Sequence, residues 1–229
     1  TVNVNGTATS TVVISNTGND DLVVDSISVY SGITNTHSLS FDGSDDYISI
    51  PNSDELAGLA QMTASAWVKI PSYPTTQGVI LAKWAFSEGP GRAYTFRIEP
   101  SGTVHLNIRT TGGVQRDSDV SFPLSELTVG QWEYLSFTYN GSDLMLFLNG
   151  VEMTSSSTPG GNILTSSEDL LIGDGTGGSN NYNGYIDEVS IWTTALIQEE
   201  IQANMNTELS GNEDGLIGYW NFNEGTGDV

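Results

Sequence analysis

The feature of this chain that most limits its fold is a cadence of short strand-like segments broken by turn residues. From Ser38 on, SLSFDG and DYISIP flank Gly43, and MTASAWVKI, VILAKW, YTFRIEP and TVHLNIRT follow closely. Further on come QWEYLSFTYN, DLMLFLNG, DLLIG, GYIDEVSIW and LIGYWNF. Ser101-Gly102, Asn140-Gly141 and Asn149-Gly150 punctuate them. Asn-Gly is the strongest local hairpin signal, because both residues tolerate positive φ. This spacing predicts an all-β fold, two antiparallel sheets in a jelly-roll sandwich.

The side-chain alternation fits such a fold. Met62, Ala64, Ala66 and Val68 alternate with Thr63, Ser65, Trp67 and Lys69. In GQWEYLSFTYN, Trp132, Tyr134, Ser136 and Thr138 share one face, and Glu133, Leu135, Phe137 and Tyr139 the other. Both faces carry large side chains, as expected of a central strand covered on both sides. Trp67, Trp132, Trp192 and Trp220 are therefore expected to pack in the core or on a sheet. One short helix interrupts the pattern near the C-terminus. Leu196, Ile197, Ile201 and Met205 fall at helical spacing over 194–206, Thr194 is placed to cap the start, and Glu199 and Glu200 lie where the helix dipole favours acids.

The 229 residues suit one large sandwich, or one sandwich and part of a neighbour, and 37% of them are hydrophobic, enough for a core. Residues 1–30 alternate as two strands around SNTGNDD, and the polar stretch SGITNTH (31–37) marks a boundary. The expected organisation is thus a strand pair plus linker over 1–36, a sandwich over 37–206, and a closing strand or the start of a following module over 207–229. Asp and Glu number 28 against 6 Lys and Arg, a formal charge of -22. That charge repels polyphosphate, so nucleic acid is a poor partner, while divalent cations are natural counterions. The chain has no cysteine, hence no disulfide or thiolate chemistry. No apolar run reaches the ~20 residues of a membrane helix, so membrane insertion is not expected. TVNVNGTATS lacks the pattern of a leader peptide, so an exported protein of this kind would carry its signal in a longer precursor.

Four phrases in fixed order carry a family resemblance: LSFDGSDDYISIP (39–51), TASAWVKIP (63–71), GQWEYLSFTYNGSDLMLFLNG (130–150) and GYIDEVSIWTTALIQEEI (184–201). Together they resemble the laminin G-like, concanavalin A-like domains of bacterial surface proteins and of multidomain carbohydrate-active enzymes. GTATSTVVISNTGNDDLVVDSISV, upstream, resembles the end of an immunoglobulin-like repeat. The resemblance implies a protein of a bacterial surface or secreted fraction, with two curved antiparallel sheets. It leaves function open, since one scaffold serves lectins, adhesins and glycosidases.

Three sets of residues stand out as candidate sites. Asp42-Gly43-Ser44-Asp45-Asp46 places carboxylates and carbonyls on one turn, the hard oxygen donors calcium takes. The resemblance implies that the first and last strands are adjacent and share a structural Ca2+, with Asp42 and Asp187 as carboxylate ligands, Gly43 through its carbonyl, and Asp46 as a further candidate. The alternative is that Asp42 and Asp46 simply cap backbone amides. The loop GDGTGGSNNYNG (173–184) contains Asp174 and Tyr182 among glycines and amides, and reads either as a metal or sugar loop or as a long hairpin connection. For sugar binding, Trp84, Phe86, Arg92 and Tyr94 cluster around SEGPG, and Tyr73 sits in SYPTTQG. Trp84 is the tryptophan expected to be exposed and free to stack on a pyranose, with packing at the core rim as the alternative.

Catalytic patterns are missing. No E-x-D-x-E run is present, Asp187 and Glu188 are adjacent and so point to opposite faces of a strand, and the two histidines, His37 and His105, are far apart with no cysteine to help hold zinc. The reading is a non-catalytic, calcium-stabilised binding module for a polysaccharide or glycoprotein glycan. The competing reading is a structural spacer that contacts neighbouring modules of the same surface protein.

Overall fold

The computed structural model describes residues 13–16, 24–25, 37–85, 91–113, 118–175 and 180–223. Residues 1–12, 17–23, 26–36, 86–90 (with Phe86), 114–117, 176–179 and 224–229 lie outside the described residues. The expected sandwich is there. One sheet comprises β1 (Val13–Asn16), β4 (Asp46–Ile50), β13 (Leu170–Ile172), β6 (Gly78–Trp84), β7 (Arg92–Glu99), β8 (Thr103–Ile108) and β9 (Ser118–Pro123), in that spatial order. The other runs β12 (Val151–Ser157), β11 (Asp143–Leu148), β10 (Glu133–Tyr139), β5 (Met62–Lys69), β14 (Asn183–Trp192), β3 (Ser38–Asp42), β2 (Val24–Asp25), and β15 (Leu216–Trp220) pairs with β14. All the strand pairs are antiparallel.

The core forms where the alternating apolar faces of the two sheets meet. Met62, Ala64, Ala66 and Val68 of β5 point inward beside Leu135, Phe137 and Tyr139 of β10 and Leu144, Leu146 and Leu148 of β11. The first sheet answers with Tyr94, Phe96, Ile98, Val104, Leu106 and Ile108. Phe96 and Phe137 bridge the sheets edge to face, their centroids 5.4 Å apart, a geometry aromatic quadrupoles prefer.

The outer face of the second sheet is also covered in part, which explains the large side chains on both faces of β10. The helix α1 (Gln198–Asn204) lays Ile201 on Trp67, Tyr134 and Phe147, with Trp132, Met145, Leu196 and Met205 around them. Burying a side chain such as Ile201 stabilises by about 1.5–3 kcal/mol. The helix starts later than its periodicity suggested. Ile197, 60% exposed, is its N-cap; the Glu200 carboxylate accepts the Ile197 amide, while the Thr194 carbonyl accepts the Thr63 hydroxyl instead of opening the helix.

The N-terminal segment joins this sandwich. β1 pairs with β4 on one sheet and β2 with β3 on the other, so its two strands extend both sheets. The closing strand, β15, aligns Trp220 with Val189 and Tyr219 with Ser190. Its Tyr219 hydroxyl donates to the buried Glu188 carboxylate, and Glu188 itself takes a left-handed φ of 50° where β14 slips register against β5.

Candidate functional site: the acid turn and its loops

The turn between β3 and β4 gathers three carboxylates. Asp42, Asp45 and Asp46 each bring an oxygen to within 4.8 Å of the others. The local sequence dictates this shape. Gly43 takes φ 84°, which a glycine accommodates without strain; Ser44 N donates to Asp42 Oδ1 at 2.7 Å, and Asp42 N donates to Asp46 Oδ2 at 3.1 Å. The carboxylates therefore do cap backbone amides, and the same capping holds them together. Like charges this close favour a bound cation.

A second strand of the chain closes over the turn. β14 pairs with β3 so that Asn183 faces Asp42 and Ile186 faces Leu39. Asn183 lies so close that a Cβ on Gly43 would stand 3.0 Å from its Cβ. Asn181 donates its side-chain amide to the Ser44 carbonyl, and its Oδ1 is buried without a hydrogen-bond partner among the described residues. A buried amide oxygen with nothing to accept from is costly, so an oxygen-seeking cation at this turn fits the donor set. Asp42, Asp45, Asp46, the Ser44 carbonyl and Asn181 are the residues that would hold it.

Asp187 is not brought to this turn. The expected adjacency of first and last strands holds, but the register sets Asn183, not Asp187, across from Asp42. Four residues along a strand separate the two, roughly 13 Å at about 3.3 Å per residue. Asp187 is 0% exposed and aligns with Trp67 of β5. Strand pairing was legible in the sequence; its register was not.

The aromatic candidates are also rearranged. Trp84 is buried at 6% exposure, not free to stack on a sugar. Strand β6 runs through it on the outer face of its sheet, where the Arg92 and Arg109 guanidinium groups lie 5.3 and 5.7 Å from its ring. Arg92 also donates Nε to the Ala85 carbonyl at 3.1 Å. The grouping of Trp84 with Arg92 is correct; its exposure is not. Tyr182 is likewise buried, edge-on to Phe41 at 6.0 Å, with burial raising its phenol well above the ordinary range. Asp174 is buried and accepts the Gly175 amide at 2.6 Å. Tyr94 belongs to the core.

The exposed aromatic here is Tyr73, at 53%. It stands on the connection between β5 and β6 and borders a cavity of about 330 Å³, within the usual size of ligand pockets. Ser72, Thr75 and Thr76 supply hydroxyls on one side, Asn181 and Asn183 amides on the other, and Gly43 joins the cavity to the acid turn. The amide-rich string SNNYNG hinted at this wall, but only the fold shows which asparagines face the turn.

A two-sheet lectin-type sandwich with a polar cavity at one end defines the class. Residues 42–202 match the laminin G type 3 family, within the concanavalin A-like lectin/glucanases superfamily, and the chain belongs to that family. Human pappalysin-1 is 38% identical over 81 residues and mouse pappalysin-1 35%, in each case over 34% of this chain and 5% of theirs, so the chain spans a small fraction of those proteins. Among solved structures, a putative carbohydrate binding protein from Bacteroides ovatus superposes with a TM-score of 0.65 at 17% identity, over 84% of this chain and 53% of that one. The ligand binding domain of botulinum neurotoxin serotype D, solved with N-acetylneuraminic acid, gives 0.62 at 16% identity, over 85% and 45%.

Proposed function

We propose that this chain is a non-catalytic, calcium-stabilised glycan-binding module of a secreted or cell-surface protein, with its ligand in the cavity between Tyr73 and the acid turn. The observation that carries this reading is the placement of a half-exposed tyrosine opposite Asn181 and Asn183, directly beside three converging aspartates. An aromatic ring offers the apolar face of a pyranose a surface, and amides and hydroxyls read its hydroxyl groups. A bound calcium would neutralise the carboxylates and fix the wall that Asn181 and Gly43 provide. The carbohydrate-binding and sialic acid-bound fold neighbours agree with this reading.

The test is a glycan array probed with calcium or with chelator, using the native chain and the Tyr73→Ala and Asp45→Ala variants. Binding that needs calcium and is lost in both variants is the expected result. Binding indifferent to calcium and to Tyr73 would overturn the assignment of the site.

A further inference from the structure

A second pocket, of about 440 Å³, opens on the outer face of the other sheet, between the loop entering β10 and the C-terminal end of α1. It differs from the first in its chemistry. The partly exposed Trp132 supplies ring surface, the buried Trp67 and Glu133 form the floor, and the exposed Glu126, Gln131 and Asn206 supply oxygens and amides. The wall is built and held: Glu133 accepts the Thr128 amide at 2.9 Å and the Asn149 side-chain amide at 2.5 Å, while Asn149 Oδ1 accepts Tyr134 N. Beside the pocket the Tyr185 ring packs against Trp132, their centroids 6.2 Å apart.

We infer that this groove binds a neutral pyranose unit of a polysaccharide. A partly exposed tryptophan ring beside carboxylates and amides presents an apolar face to the pyranose and acceptor–donor pairs to vicinal hydroxyls. Charge selects the neutral class. The residues lining the groove include two carboxylates and no Lys, Arg or His. Lys69, on the neighbouring strand position, is held over the Tyr185 ring at 5.1 Å. Uronic or sialic acids would meet like charge there, so the groove discriminates against them. This inference shares the glycan-binding reading of the fold but is independent of the acid turn, of Tyr73 and of calcium.

Affinity electrophoresis of the full chain tests it, through gels containing soluble β-1,3-glucan, xylan, galactomannan or, as acidic comparator, polygalacturonate. At least one neutral polymer should retard the native chain, in chelator as well as in calcium, and polygalacturonate should not. Trp132→Ala should abolish the retardation. Because Trp132 also packs beside α1, the exposed Gln131→Ala serves as the second variant, expected to weaken retardation by about tenfold without loss of fold by circular dichroism. Tyr73→Ala should leave it unchanged. No retardation by any neutral polymer, retardation that survives both groove variants, or preference for polygalacturonate would overturn the inference. Retardation lost in Tyr73→Ala or with chelator would also overturn it, and would support the acid-turn site instead.

Discussion

Asn183 lies directly across the strand pair from Asp42, and the side chain next to it in the chain but one, Asn181, reaches the Ser44 carbonyl of the same turn. The candidate ion site is therefore made from a hairpin turn and the approach to β14, and Asp187 has no part in it.

The first prediction follows from that composition. Adding calcium should raise the melting temperature and chelator should lower it. At a hundredfold excess over its dissociation constant, an ion stabilises by about 2.7 kcal/mol, a shift of roughly 5–10 °C for a chain of this size. Asp45→Ala and Asn181→Ala should each remove most of that shift, whereas Asp187→Asn should keep it despite lowering overall stability. Calorimetric melts of the four proteins decide the matter; a shift lost only in Asp187→Asn would restore the other ligand set.

A second prediction concerns Gly43. Its φ of 84° and the 3.0 Å approach of Asn183 leave little room for any side chain. Gly43→Ala should cost about 1–2 kcal/mol by urea denaturation, from left-handed strain alone, and more if Asn183 cannot move.

The aromatic bridge between the sheets gives a third. Phe137 is 0% exposed and touches the rings of Phe96 and Tyr94. Phe137→Ala should destabilise by about 3–5 kcal/mol, and Phe137→Leu by clearly less. Equal losses in the two would mean that the cavity does not set the cost.

A fourth prediction is set by pH. Burial raises the phenols of Tyr94, Tyr134, Tyr182 and Tyr219, that of Tyr134 to about 12, and for Tyr219 the Glu188 carboxylate adds to the effect. Folded values above the unfolded value of 10.0 mean that the native chain binds more protons in that range. The stability they contribute is fully present below pH 10 and is lost as pH rises toward the folded values. Denaturant midpoints should fall steeply above pH 10, and ultraviolet titration should show these tyrosines ionising together with unfolding.

How much of this was readable in advance depended on whether the information was local. The alternation of Met62, Ala64, Ala66 and Val68 fixed the inward face of β5, and every one of them is buried. Turns at Asn140-Gly141 and Asn149-Gly150 mark hairpins because their backbone chemistry is local. Register between Asp42 and the distant β14 is not local, since it is decided by packing along the whole strand pair, and so the local sequence does not reveal that Asn183 rather than Asp187 stands across from Asp42. Exposure failed for a related reason. Trp84 ends a strand beside a polar turn, as an exposed tryptophan would, yet arginines from elements 8 and 25 residues further along cover its ring. Nothing in the segment around Trp84 encodes that meeting.

Those same arginines shape how the molecule behaves at a distance. The chain's formal charge is -22, but Arg92, Arg97 and Arg109 all sit on β7 or at the end of β8, in one sheet, beside Lys83 of β6. The acid turn runs into β4 of that same sheet, while the acid-lined groove lies on the other sheet. Arg97 is held by Glu99, Lys83 is fully buried and donates to Asn52 and the Glu168 carbonyl, and Arg109 is buried. These cations are therefore largely engaged within the sheet, and an approaching polymer meets mainly the field of the acids.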